Sequence, residues 1–288
     1  MIYYILLVCS VILAVVKSAF VKQYSQHESE KNSRIFFFNL VAYGLAAVLQ
    51  LCFTGLPTFA WATVLPAAGY ALCCYLMQLF LMKSMAIGSM ALSSLFCMYG
   101  MLLPTVAGPL FFGETFSWGQ GFGVVLMLLA IFFSVDIRKG ETANNKTWFV
   151  FALLTLVFSG MVGVFEKVHQ SGPAKTDISS FLLIAFVMIS LLNAITLLPV
   201  RRKEAEPANL KNGLLIAALT GLVVVFYSRI NLTLAGALDT MLYYPVSNGG
   251  AVLLTLLVSV VIFREPLKRN HILCFICGTA AILLLGMA

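Results

Sequence analysis

Phe112-Gly113-Glu114-Thr115-Phe116-Ser117 is a short polar turn between two apolar runs, and Phe263-Arg264-Glu265-Pro266-Leu267-Lys268 is another. Their glutamates lie 151 positions apart. A long apolar run bearing Tyr and Gly precedes each turn, with Tyr99-Gly100 in one and Tyr244 and Gly249-Gly250 in the other. A glycine-bearing run follows each, with Gly121 and Gly123 in one and Gly278 and Gly286 in the other. A spacing of 150 also pairs Lys17 with Lys167. Any two apolar helices look somewhat alike, but a matched Phe-x-Glu turn at one offset is the mark of a duplicated unit. The expected units are residues 1–140 and 141–288, together one membrane domain.

The composition says where these runs sit. Of 288 residues, 61% are hydrophobic and only 10% are charged, and the mean hydropathy is +0.99. A soluble domain carries about 25% charged residues and needs a polar skin. These proportions exclude an ordinary cytosolic enzyme, a disordered chain and a collagen-like repeat. A bilayer core needs about 20 apolar residues per helix. Ten candidate spans result, over 2–22, 35–54, 62–84, 89–112, 117–137, 147–166, 179–200, 211–230, 237–263 and 269–287. Continuous runs of this length exclude a β-barrel, whose segments alternate. The expected fold is therefore an all-α integral membrane protein of ten transmembrane helices. Half of ten is five, an odd number, so the second copy must insert upside down relative to the first. Inverted repeats of this kind are a hallmark of transporters.

The loops are too short to hold a soluble domain. The loops after odd-numbered spans carry fourteen Lys and Arg, and those after even-numbered spans carry three. Basic short loops stay cytoplasmic, so the charge count predicts both termini outside. The net charge of +7 has no long basic tail behind it and is read as topology and contact with lipid headgroups, not as nucleic-acid binding. No basic stretch precedes the apolar run from Ile2, which is read as a retained first span. The seven cysteines lie in or beside apolar runs. Cys274-x-x-Cys277 has no second Cys or His pair nearby, so helix packing is its simpler role.

The stretch from Tyr244-Pro245-Val246-Ser247-Asn248-Gly249-Gly250 to Phe263-Arg264-Glu265-Pro266-Leu267 is similar to the end of EamA-type halves. With ten spans in two halves, the whole chain resembles the drug/metabolite transporter superfamily, including its four-span small multidrug resistance proteins. The resemblance implies a bacterial cytoplasmic membrane and transport of amino acids, related metabolites or drugs. It also implies that the fourth and ninth spans help line a central cavity. Two features depart from the pattern. The first-span carboxylate of small multidrug resistance proteins is replaced here by Val15, so their mechanism does not carry over. Many ten-span relatives have cytoplasmic termini, against the charge count.

Ionisable residues within spans are costly and tend to face a cavity or a partner. Lys17 lies deep in the first span and is a candidate for substrate or ion pairing. Glu166 is a candidate coupling group for a proton, or a helix-end charge beside Lys167, and could pair with Lys17 or Lys167. Lys83 and Asp136 are read as snorkelling. Glu114 and Glu265 are read as caps on the helices that follow them.

Polar groups facing lipid would go unsatisfied. Asn39, Gln78, Tyr99, Asn231, Tyr243, Tyr244 and Asn248 are therefore cavity candidates, with interhelical hydrogen bonding as the plainer alternative, which also covers Asn193. Aromatic rings there could hold an organic cation or the apolar body of a metabolite. Pro104, Pro245, Gly249 and Gly250 could kink or rock their helices, or simply serve packing.

No metal cluster, P-loop, nucleophile elbow or dinucleotide fingerprint is present in the sequence, so neither an enzyme nor a primary pump is expected. The expected function is secondary transport of a small polar organic solute by alternating access, with no cofactor beyond a coupling proton or sodium ion. The expected partners are that solute and membrane lipids. A monomer suffices because both halves are in one chain, and a dimer stays open. A flippase or transporter for a lipid-linked or phosphorylated precursor is the first alternative; Lys17, Lys83 and Arg229 would suit its phosphate. A non-transporting membrane subunit is the second.

Overall fold

The computed structural model describes residues 2–28, 32–55, 57, 59–87, 90–115, 117–134, 146–203, 210–261 and 269–287. Among these residues the chain is helical and has no strand. The helices are α1 (Ile2–Glu28), α2 (Asn32–Thr54), α3 (Trp61–Ile87), α4 (Met90–Tyr99), α5 (Leu102–Phe111), α6 (Trp118–Ser134), α7 (Lys146–Ser171), α8 (Ile178–Lys203), α9 (Leu210–Ala237), α10 (Thr240–Val261) and α11 (Arg269–Met287).

Six of them are long and apolar enough to cross a membrane: α1, α2, α3, α7, α8 and α9. Shorter apolar stretches cover Phe96–Phe111, Trp118–Phe133 and Ile272–Leu285. The 27 residues of α1 make a rod of about 40 Å. With no water in the bilayer core, helices satisfy their own backbone groups, which is why an apolar chain settles into them. The chain is an integral membrane protein.

The residue distribution reverses that of a soluble protein. Outward-facing positions are apolar, among them Leu65, Val106, Phe122, Leu191 and Leu215. Phe59, Trp61, Phe111 and Trp118 are 76–82% exposed around one end of the bundle, like an interfacial aromatic belt. Buried positions include Ser10, Gln50, Thr105, Glu166, Lys167, Asn193 and Asn231.

Packing joins α3 to α7, α2 to α8, α1 to α9 and α6 to α11. Further contacts join α2 to α9, α3 to α8, α1 to α10 and α7 to α4 and α5. One apolar cluster fills the space among α1, α6, α10 and α11 around Met127, Ile131 and Cys274. A second lies among α2, α3, α8 and α9 around Phe181, Phe186 and Ile189.

The fourth apolar run, expected as one span over 89–112, is broken at Gly100-Met101. Proline has no N–H to bond the carbonyl four residues back and crowds it. For Pro104 that carbonyl belongs to Gly100, and the break falls there. The glycine has a second reason: α4–α5 crosses α7 at Gly100 and Gly160. A Cβ on Gly160 would lie 2.5 Å from the Gly100 carbonyl oxygen, and one on Gly100 would lie 2.8 Å from the Gly160 nitrogen. Pro245 behaves differently, because α10 continues through it.

Candidate functional site

A cavity of about 170 Å³ lies where α1, α2, α3, α5, α7, α9 and α10 converge. Lys17, Pro104, Glu166, Asn231, Tyr243, Tyr244 and Asn248 line it. These seven come from the sequence-derived candidates. They arrive from five helices of both halves, so the fold collects them from positions far apart in the chain.

The cavity holds one ammonium and one carboxyl group, from Lys17 and Glu166. The Lys17 Nζ sits 4.7 Å from the centre of the Tyr227 ring, a cation–π distance. Glu166 is buried and shares the cavity lining with Lys17 and Tyr244. The Tyr244 hydroxyl donates to the Gly163 carbonyl oxygen at 2.6 Å. Its ring lies 4.6 Å from the Tyr243 ring, centre to centre. Asn248 donates through Nδ2 to the Tyr244 carbonyl at 2.9 Å, within α10. The Asn231 Oδ1 accepts a short bond from the Ser10 hydroxyl, which ties α9 to α1.

Several candidates stand elsewhere. Tyr99 donates to the Leu128 carbonyl at 3.0 Å and serves α4–α6 packing. Gln78 stands behind the cavity wall and donates to the Tyr43 hydroxyl at 3.4 Å. Asn39 is buried away from the cavity lining. Gly249 packs against Met127 and Gly250 against Val11: a Cβ on Gly249 would collide with the Met127 side chain, and one on Gly250 would lie 3.2 Å from Val11 Cγ2, so both positions serve helix approach. Lys83 is exposed, and its ammonium reaches over the Phe80 and Phe151 rings at 5.9 and 5.5 Å. Asn193 bonds within its own helix, to the Ile189 carbonyl. Glu265 and Asp136 lie outside the described residues.

Glu114 caps a helix, but not the one that follows it, which is a correction to the expected role. Its Oε2 accepts from the Thr240 backbone N–H at 2.8 Å and from the Thr240 hydroxyl at 2.5 Å. Thr240 opens α10. The Oε1 of Glu114 lies 2.6 Å from Lys167 Nζ. Two local features explain the redirection. Gly113 turns the chain at φ +68, a conformation that favours glycine. The entry to α6 is meanwhile occupied by Gln120, whose Oε1 accepts from the Ser117 N–H at 3.3 Å. Lys167, one of the two partners suggested for Glu166, lies against Glu114 instead, while Glu166 lines the cavity that Lys17 also lines.

The sequence reading missed Tyr43, Tyr70, Cys74, Tyr227, Ser228 and Ser247, which also line the cavity. Five tyrosines reach it in all. A tyrosine inside an apolar run carries a polar tip that must find a partner. That signal was present at Tyr43, Tyr70 and Tyr227, but it does not say which face of a helix is inward.

No family model matches the chain. An uncharacterized protein of Haemophilus influenzae is 25% identical over 193 residues, which cover 63% of this chain and 61% of the relative. The match thus spans about three fifths of that curated relative's length. A solved protein crystal structure is similar over 99% of this chain and 96% of its own, with a TM-score of 0.79 and 12% identity. At that identity the likeness shows a shared fold alone.

Proposed function

We propose that the chain is a secondary transporter for a small polar organic solute, an amino acid or related metabolite, working by alternating access across a bacterial cytoplasmic membrane. The observation that carries this reading is the central cavity, with Lys17 and Glu166 on its wall among five tyrosines. An ammonium and a carboxyl in one small chamber suit a solute that carries both charges. The rings suit its apolar body. Ionisable groups held within the bilayer are costly and tend to face a cavity or a partner, so these two on one small chamber are a reason to admit a solute of complementary charge.

The architecture in this reading is ten spans in two inverted five-helix repeats, residues 1–140 and 141–288, with α4 and α5 together forming the fourth span. The packing pattern supports it. Exchanging α1, α2, α3, α4–α5 and α6 with α7, α8, α9, α10 and α11 turns the α1–α9 contact into α7–α3 and the α2–α9 contact into α8–α3. It turns α1–α10 into α7 with α4 and α5, while α2–α8, α5–α10 and α6–α11 map onto themselves. Two units rocking about such an axis would expose the cavity first on one face, then on the other.

Glu166 would carry the coupling proton, accepting it when the cavity opens to the acidic face and releasing it on the other. The test is flux into liposomes holding the purified protein, with amino acids, quaternary ammonium ions and phosphorylated metabolites offered in turn, each with and without a proton gradient. The expected result is uptake of an amphoteric solute that the gradient accelerates, and loss of that acceleration in Glu166→Gln. A Glu166→Gln variant with unchanged gradient dependence would falsify the proton role. Absence of flux with every amphoteric solute would sink the transporter reading.

A further inference from the structure

Three helices that line the cavity carry a second layer of residues just beyond it. Pro104 on α5, Gly163 on α7 and Tyr244 on α10 face the cavity. Four residues further toward one end of the bundle come Gly108, Lys167 and Thr240. Four residues of helix rise about 6 Å, so this layer is one turn above the cavity. It is closed. Glu114, on the turn after α5, reaches Lys167 at 2.6 Å and Thr240 at 2.8 and 2.5 Å. Lys167 also donates to the Leu238 carbonyl at 3.4 Å. Gly108 has no side chain, which leaves Thr240 and Glu114 the space above it: a Cβ there would collide with both. The side chains of the pair are only 10% and 8% exposed.

We propose that Glu114, Lys167 and Thr240 form a clasp that shuts the central cavity at the end where α5 and α7 finish, and that the clasp must part for a solute to pass there. The proposal rests on the transporter reading. Glu114 belongs to the first half of the chain, and Lys167 and Thr240 to the second, so the bonds cross between the bodies that would move. The chemistry suits two states. In the dry, closed layer the charges attract strongly because little water screens them. When the layer opens, water rehydrates both ions and repays much of the cost of separating them. An apolar plug would have no such compensation. At the same end Arg229 also joins the halves, donating to Gln50 Oε1 at 3.4 Å, a longer contact than those of the clasp; its other contact, to Ser179 Oγ at 3.5 Å, stays within the second half.

Cys74 lines the cavity and reports on access to it. The parent for the test is the full chain with Cys9, Cys52, Cys73, Cys97, Cys274 and Cys277 replaced by alanine. A membrane-impermeant maleimide is applied to each face of sealed vesicles. A separate Trp118→Cys marker, at an exposed position at the clasp end, identifies which face that is. Glu114→Gln removes the charge and keeps an acceptor oxygen for Thr240. Glu114→Gln with Lys167→Met removes both charges, so no lone buried ion is left to prevent folding.

The expected result is a rise of about tenfold or more in Cys74 labelling from the clasp face in both variants, equivalent to about 1.4 kcal/mol toward the open state. The rate from the opposite face should fall or stay level. Labelling that is unchanged from the clasp face, or that rises equally from both faces, overturns the proposal. Flux of the same variants separates it from the transporter reading. A chain that labels faster yet moves no solute keeps the clasp and loses transport. A chain that transports while its labelling ignores the clasp keeps transport and loses the clasp.

Discussion

Gly160→Ala tests whether the crossing of α7 over the α4–α5 break is as close as described. An added Cβ would lie 2.5 Å from the Gly100 carbonyl oxygen and 2.6 Å from the Leu103 Cβ. Neither atom is the end of a flexible side chain, so one helix must move by most of an ångström. Two effects oppose each other. Alanine gains about 1 kcal/mol over glycine in helix propensity. Overpacking a tight contact costs about 1–3 kcal/mol, and unyielding atoms put this site in the upper part of that range. The net expectation is a loss of about 1–2 kcal/mol, roughly 2–4 °C in thermal midpoint per kcal/mol. Gly44→Ala is the control, since its added Cβ would meet only the Ser190 hydroxyl, at 3.3 Å. The same propensity gain should there leave stability level or improved. Both variants are melted in detergent at one scan rate beside the parent. If Gly160→Ala melts at or above Gly44→Ala, the crossing is looser than described, and the explanation of the α4–α5 break loses its second support.

Two further outcomes follow from the cavity and its clasp. Tyr227→Leu should weaken solute binding by removing the ring under Lys17, a contact worth about 0.5–2 kcal/mol, while Tyr227→Phe keeps the ring and should bind nearly as the parent. Ligand-dependent thermal stabilisation of the purified protein checks this, and equal loss in both variants would remove the cation–π role. Lys167→Met alone leaves Glu114 as an uncompensated buried charge and should cost about 3–5 kcal/mol, most of it recovered when Glu114→Gln is added. Melting of the two variants reads the difference, and additive losses would show that the pair is not coupled.

The sequence by itself determined the solvent and the class of structure. A chain with 61% hydrophobic and 10% charged residues, in runs of about twenty, can lie only in a bilayer and only as helices. It also pointed to the ionisable residues worth following. Lys17 and Glu166 stand out because charge inside a span is costly wherever the span packs.

The tertiary structure decided which polar groups meet. Asn248 and Tyr99 look alike in sequence, each a polar residue within an apolar run. One faces the cavity and the other a neighbouring helix, because rotation about a helix axis is set by packing. The apolar faces are too uniform to reveal that rotation: lipid and protein interior are equally greasy, and the amphipathic stripe that orients a helix in a soluble protein is weak here. Glu114 makes the point most directly. Its sequence neighbours suggest a cap on α6, yet its carboxylate reaches Thr240 and Lys167, far along the chain. A cap needs only an acceptor close to free N–H groups. Which helix supplies them depends on where the turn at Gly113 aims the side chain, and on which N-terminus the folded chain brings beside it.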